Sequence, residues 1–258
     1  MPFVQTDDVR LHYRTDGDPR RPCLVLSNSL GTSLSMWDMQ ADELSTDFFV
    51  VRYDTRGHGE SATGTRPFGI DRLGRDVLAL LDHLEVEQAA FCGISMGGLT
   101  GQWLGVHAPR RIARLVLANT AARIGSPDAW TTRADQVRAA GMDAVADGAA
   151  SRWFTRDFIE RAPGTVARMV KALRAQDARG YAACCDALAS ADLRDAVAGI
   201  AAPTLVIAGE HEPVTTLADG EWLCDRIAGA RLATMPASHI SNVEAAAPFT
   251  RALREFIL

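Results

Sequence analysis

The stretch Phe91–Thr100 reads FCGISMGGLT and sets a serine two residues from a glycine on either side. Gly93-Ile94-Ser95-Met96-Gly97 fits the pattern G-x-S-x-G. The apolar run Ala89–Cys92 before it has strand character, and Ser95–His107 after it has helical character. A strand that turns into a helix at one residue strains that residue's backbone, and side chains two places away on either side would collide. The strain holds the Ser95 hydroxyl up at the carboxyl end of the strand, where open α/β sheets bind ligands. The Met96 amide opens the helix and points toward any developing oxyanion.

Working outward, further apolar runs punctuate the chain at Val9–Arg14, Cys23–Leu26, Phe48–Tyr53, Arg114–Ala118, Thr204–Ala208 and Arg231–Met235. From Cys23–Leu26 onward they read as strands buried on both faces. Helical spacing fills Ile70–Leu84, Leu217–Ile227 and Pro248–Leu258. Alternating strand and helix predicts an α/β fold with a mostly parallel central sheet and helices on both faces. Ala121–Gly199 breaks the alternation: it is Ala- and Arg-rich, with helical spacing in Ala134–Ala150 and Thr165–Leu173. We expect a core from residues 1–120 and 200–258, and an all-helical lid of three or four helices from 121–199.

Composition excludes several function classes. The chain has 258 residues, and its formal net charge of −5 comes with no basic stripe. Nucleic-acid binding is therefore not expected. The N-terminus lacks the basic and apolar regions of an export signal. The longest uncharged run, Gln88–Pro109, carries five glycines and polar residues, so no membrane span is expected. Five scattered cysteines without C-x-x-C fit reduced thiols and a cytoplasmic location. The adjacent Cys184 and Cys185 read as small apolar fillers on a helix.

A nucleophilic serine needs a base. Of six histidines, His239 alone follows the last strand, in the loop MPASHISN before the terminal helix. That position puts it at the sheet edge of Ser95, in the order serine, acid, histidine. The acid is expected after the sixth strand, in AGEHEPVTT, where Glu210 and Glu212 flank His211. Glu212 lies further past the strand end and is the better placed of the two. The second oxyanion donor is expected from Ser27–Thr32, with the Leu30 amide as candidate and Gly31 allowing close approach. Asp54, before Ser95 in the chain, reads as a structural carboxylate held by its nearest arginine and turn amides.

These residues carry a resemblance to the α/β-hydrolase superfamily and, within it, to the 3-oxoadipate enol-lactonases of aromatic degradation. The segments are SNSLGTSLSMWD (27–38), RYDTRGHGES (52–61), FCGISMGGLTGQWLG (91–105), LVLANTAARIG (115–125) and ASHISNVE (237–244). The resemblance implies Ser95 as nucleophile, His239 as base, and the Leu30 and Met96 amides as oxyanion donors. It places Glu212 where the family usually has Asp. It implies opening of a small lactone that also carries a carboxylate, with no cofactor. An arginine of the lid, Arg133, would then meet the carboxylate. Trp130 and Trp153 would form apolar walls and Asn119 the pocket floor. Competing readings of the same constellation are a broad carboxylesterase, a C–C bond hydrolase and a slow-turnover ligand receptor. The sequence leaves the oligomeric state open.

Overall fold

The computed structural model describes residues 2–258. One sheet contains β1 (Phe3–Gln5), β2 (Arg10–Asp16), β3 (Cys23–Ser27), β4 (Phe49–Tyr53), β5 (Ala89–Ile94), β6 (Ile112–Ala118), β7 (Thr204–Gly209) and β8 (Arg231–Met235). Their order across it is β1-β2-β4-β3-β5-β6-β7-β8. β1 and β2 join antiparallel, and every pairing from β4 to β8 is parallel. β3, β4, β5 and β7 are buried along their whole length, as continuous apolar strands in a covered sheet must be. β8 departs from that expectation. It is the sheet edge, and Leu232 is 38% exposed. β1 carries no signal in the sequence, because three residues are too few to show periodicity.

Helices α1 (Asp38–Leu44), α2 (Ile70–His83) and α3 (Met96–His107) lie between the early strands. α2 buries Leu73, Val77, Leu80 and Leu81 at helical spacing. α3 packs on β5 and β6. Between β6 and β7 come α4 (Pro127–Ala140), α5 (Asp143–Asp147), α6 (Ala149–Trp153), α7 (Arg156–Arg161), α8 (Pro163–Arg174) and α9 (Ala178–Ser190). The segment is helical as expected, but it is cut into six helices rather than three or four. Gly141, at φ 77°, ends α4, so Ala134–Ala150 is not one helix. Ser126 caps α4 by accepting from the Ala129 amide, and Pro127 occupies its first turn. Cys184 and Cys185 are buried on α9, which packs on α4. The chain closes with α10 (Leu217–Arg226), α11 (Ser241–Glu244) and α12 (Ala246–Ile257). No helix among the described residues is long and apolar enough to cross a membrane.

The parallel register positions the site. Ser27 pairs with Gly93, Ile94 with Ala118, and Ala118 with Ile207. The strands therefore end near one line, and the segments that follow β3, β5, β6, β7 and β8 emerge at the same edge.

Candidate active site

At the end of β5 the chain turns directly into α3. Ser95 sits at the turn with φ 57° and ψ −116°, a conformation that costs a non-glycine residue of order 1–3 kcal/mol. Its surroundings over-determine it. The Ser95 amide donates to Ala118 O at 3.0 Å, the Gly97 amide to Asn28 O at 3.1 Å, and Thr120 Oγ1 to Ser95 O at 2.8 Å. The flanking glycines are required by space. A Cβ on Gly93 would lie 2.1 Å from Gly97 O, and one on Gly97 would lie 2.4 Å from Ser27 O.

The loop after β3 faces this turn. Asn28 anchors it by donating to Tyr53 O at 2.8 Å and accepting from Trp37 Nε1 at 3.0 Å. Gly31 has φ 82°, and its amide donates to His58 Nε2 at 2.9 Å. A Cβ there would lie 2.5 Å from Leu173 of α8, so glycine admits the close approach of the inserted helices. Because Nε2 accepts, His58 must be neutral. Burial, outweighing nearby carboxylates, holds its pKa below the usual histidine value. The amides of Leu30 and Met96 have no hydrogen-bond partner among the described residues. They are free donors beside Ser95.

His239, in the loop after β8, is buried. Its Nδ1 lies 2.6 Å from Glu212 Oε2. An ionised carboxylate only accepts, so Nδ1 carries the proton and Nε2 is left as the basic nitrogen. Nε2 has Ser29 Oγ at 3.4 Å, and no hydrogen bond joins it to Ser95 Oγ among the described residues. Glu212 is buried, whereas Glu210 is exposed and takes no part in this bond. Glu212 Oε1 accepts from the Val214 and Thr215 amides at 2.6 and 3.2 Å. Burial opposes its ionisation, but the His239 interaction and these amides prevail and hold its pKa below the ordinary value.

Asn119 requires a correction. It does not form a pocket floor. Its Nδ2 donates to Glu212 Oε2 at 3.0 Å, and its Oδ1 accepts from Ser241 Oγ at 2.5 Å, so it braces the acid from beneath. Asp54 is structural as expected, with a different partner. It bonds to His12 Nδ1 at 2.7 Å and accepts from the Leu34 and Glu60 amides, while Arg56 pairs with Asp76 and Asp8.

Ser95, His239 and Leu30 line a cavity of about 40 Å³ together with Trp130, Arg133 and Trp153 of the inserted helices. Arg133 stacks over the Trp130 ring at 4.9 Å. Arg152 and Tyr181 also reach this cavity, and no local sequence signal marked them. A larger cleft of about 390 Å³, between Thr32–Met39 and α8, holds neither Ser95 nor His239. Chemistry rather than size identifies the site. Among the described residues, no cluster of His, Cys, Asp and Glu is arranged to hold a metal ion.

This geometry suits acyl transfer: a strained serine, an imidazole oriented by a buried carboxylate, and two free amides. Residues 22–246 match the alpha/beta hydrolase fold family. The chain belongs to that family. Among α/β-hydrolases it is 53% identical to 3-oxoadipate enol-lactonase 2 of Acinetobacter baylyi, over 97% of this chain and 94% of that one. It is 40% identical to 3-oxoadipate enol-lactonase 1 of the same organism, over 96% of this chain and 92% of that one. It superposes on the crystal structure of the enol-lactonase from Burkholderia xenovorans LB400 with a TM-score of 0.97, at 48% identity and 99% coverage of each chain.

Proposed function

We propose that this chain is a carboxylic-ester hydrolase that opens 3-oxoadipate enol-lactone to 3-oxoadipate in the cytoplasmic degradation of aromatic compounds. The observation that carries the chemistry is the buried His239–Glu212 pair at 2.6 Å, whose histidine lines the same cavity as Ser95. The substrate is drawn from the likeness to the two Acinetobacter enol-lactonases and the Burkholderia enzyme.

In this reading Ser95 Oγ attacks the lactone carbonyl while His239 Nε2 takes its proton. The Leu30 and Met96 amides hold the oxyanion. The carbon–oxygen bond of the ring breaks, and the enolate leaving group takes the proton held by His239 Nε2 to give the enol, which tautomerises to the ketone. Water then attacks the acyl-enzyme with His239 as base, and Ser95 regains its proton. Glu212 fixes the imidazole tautomer and stabilises the imidazolium. Residues 121–199 act as a lid, and Arg133 meets the substrate carboxylate beside the Trp130 and Trp153 walls. No cofactor enters the scheme.

The test is kcat/KM for ring opening of 3-oxoadipate enol-lactone, followed by ultraviolet absorbance, with Ser95→Ala alongside. A value of about 10⁴ M⁻¹s⁻¹ or more, lost in the variant, supports the reading. No turnover above the variant, with hydrolysis of simple esters intact, leaves a serine hydrolase of another substrate.

A further inference from the structure

Two arginines reach the cavity beside Ser95, from different helices. Arg133 lies on α4 and Arg152 on α6, and both line the same small space as Ser95 and His239. No aspartate or glutamate lines it. Neither arginine makes an ion pair among the described residues, whereas Arg174, on α8, pairs with two aspartates at the surface. The two are therefore half-buried cations without a carboxylate partner, beside the apolar walls of Trp130, Trp153, Val145 and Leu173.

The Arg152 guanidinium is held in place without being neutralised. Its Nη2 donates to Val145 O at 2.6 Å. A Cβ on Gly148 would lie 2.5 Å from Nη1, so the glycine leaves the guanidinium its room. Arg133 is held by the face of Trp130, and both guanidinium groups act at Tyr181. Burial first, and then the Arg133 charge, pull the Arg152 pKa below its ordinary value. Burial pushes Tyr181 up to about 12, so its hydroxyl remains a neutral donor. Two cations close enough to repel, and one hydroxyl, describe a site completed by an anion.

We propose that Arg133 and Arg152 together clamp the substrate carboxylate, and that their shared need for an anion selects carboxylate-bearing lactones over neutral ones. This rests on the lactonase reading for the identity of the substrate, but the clamp itself does not. A carboxylate has about four acceptor sites, enough for two guanidinium groups at once. A neutral ester of the same shape leaves both half-buried cations without an anionic partner, so rejection follows from the same residues as binding. The anion also ties α4 to α6, joining two helices of the insert across the bound substrate.

The experiment has two arms. In the first, kcat/KM is compared between the enol-lactone acid and its methyl ester for wild type, Arg152→Gln, Arg133→Gln and the double variant. The readout is the ratio between the two substrates. Loss of a charged hydrogen-bonding partner is expected to lower this ratio roughly 10- to 100-fold in each single variant. The double variant is expected to lose less than the product of the singles, because both groups hold one ligand. Arg152→Lys is expected to recover part of the ratio. A ratio within about threefold of wild type in Arg152→Gln overturns the proposal.

The second arm uses butanoate and butanamide as probes of thermal stability on the Ser95→Ala background. Butanoate is expected to raise Tm, butanamide is not, and Arg152→Gln is expected to abolish the butanoate shift. Equal butanoate shifts with and without Arg152 overturn the clamp. If wild type fails to open the lactone yet butanoate stabilisation depends on Arg152, the substrate assignment fails and the clamp stands.

Discussion

Glu212 divides its carboxylate between two tasks: Oε2 reaches His239 Nδ1 at 2.6 Å, and Oε1 gathers the amides of Val214 and Thr215 from its own loop. Asn119 adds a second donor to Oε2 at 3.0 Å. Four donors thus hold the carboxylate, and His239, bonded to it through Nδ1, lines the Ser95 cavity.

Glu212→Gln is expected to lower kcat by about 10⁴-fold, because an amide can present a donor to Nδ1 and so favour the wrong tautomer. Glu212→Asp is expected to retain far more activity while losing one of the two tasks. Steady-state kinetics on both variants decide this. A kcat for Glu212→Gln within tenfold of wild type would remove Glu212 from the role and return it to another acid.

The same residue makes a pH prediction. Its folded-state pKa is depressed below the model-peptide value of 4.5. The unfolded chain therefore binds more protons between the folded pKa and about 4.5, and stability rises with pH across that window. The contribution of Glu212 is fully present above about pH 4.5 and is lost as pH falls through the folded value. Urea unfolding of wild type and Glu212→Gln at several pH values from about 3 to 6 should show a shallower acid loss in the variant.

His58 makes an independent case. It is buried, neutral and bonded to the Gly31 amide, next to the proposed oxyanion donor Leu30. His58→Leu leaves the Gly31 N–H without its acceptor and frees the loop. Because removing one oxyanion donor costs about 10²–10³ in kcat, displacing one is expected to cost about tenfold or more. His58→Gln supplies an acceptor oxygen and should recover part of the loss. Its depressed pKa has the same sign as that of Glu212: stability is complete above about pH 6.5 and falls as pH drops toward the folded value. Kinetics and unfolding of the two variants test both statements.

What was legible in the sequence was local. Ser95 announced itself because the elbow needs glycine at two fixed offsets, and His239 because chain order placed it after the last strand. The roles of Asn119 and Arg152 were not legible: one is set by a contact to Glu212 across 93 residues, the other by where a five-residue helix happens to land. Glu212 and Glu210 differ by the direction of the loop after β7, which no local pattern encodes: Glu212 turns inward to His239 at 2.6 Å and Glu210 faces solvent. The segmentation of the insert was partly written in Gly141 and Gly148, which interrupt an otherwise continuous helical spacing.

Glu244 carries the last prediction. It is buried, and its carboxylate accepts from the Ser238 amide at 2.9 Å, next to His239. The same carboxylate accepts from the Thr155 amide at 3.2 Å and from the Thr155 hydroxyl, at the start of α7. One residue thus fastens the inserted helices to the loop that bears the base. Ile240 adds a parallel tie by donating to Trp153 O at 3.1 Å. Glu244→Ala strands the buried Ser238 amide, at about 1–3 kcal/mol, and leaves the half-buried Thr155 amide without its acceptor. It also loosens Trp153 against the cavity. We expect lower Tm, faster amide exchange in α6 and α7, and a rise in KM larger than the fall in kcat. Glu244→Gln keeps one acceptor oxygen and should fall between the two. If Glu244→Ala lowers Tm but leaves both exchange in α6–α7 and KM unchanged, Glu244 stabilises the core alone and does not couple the insert to the base.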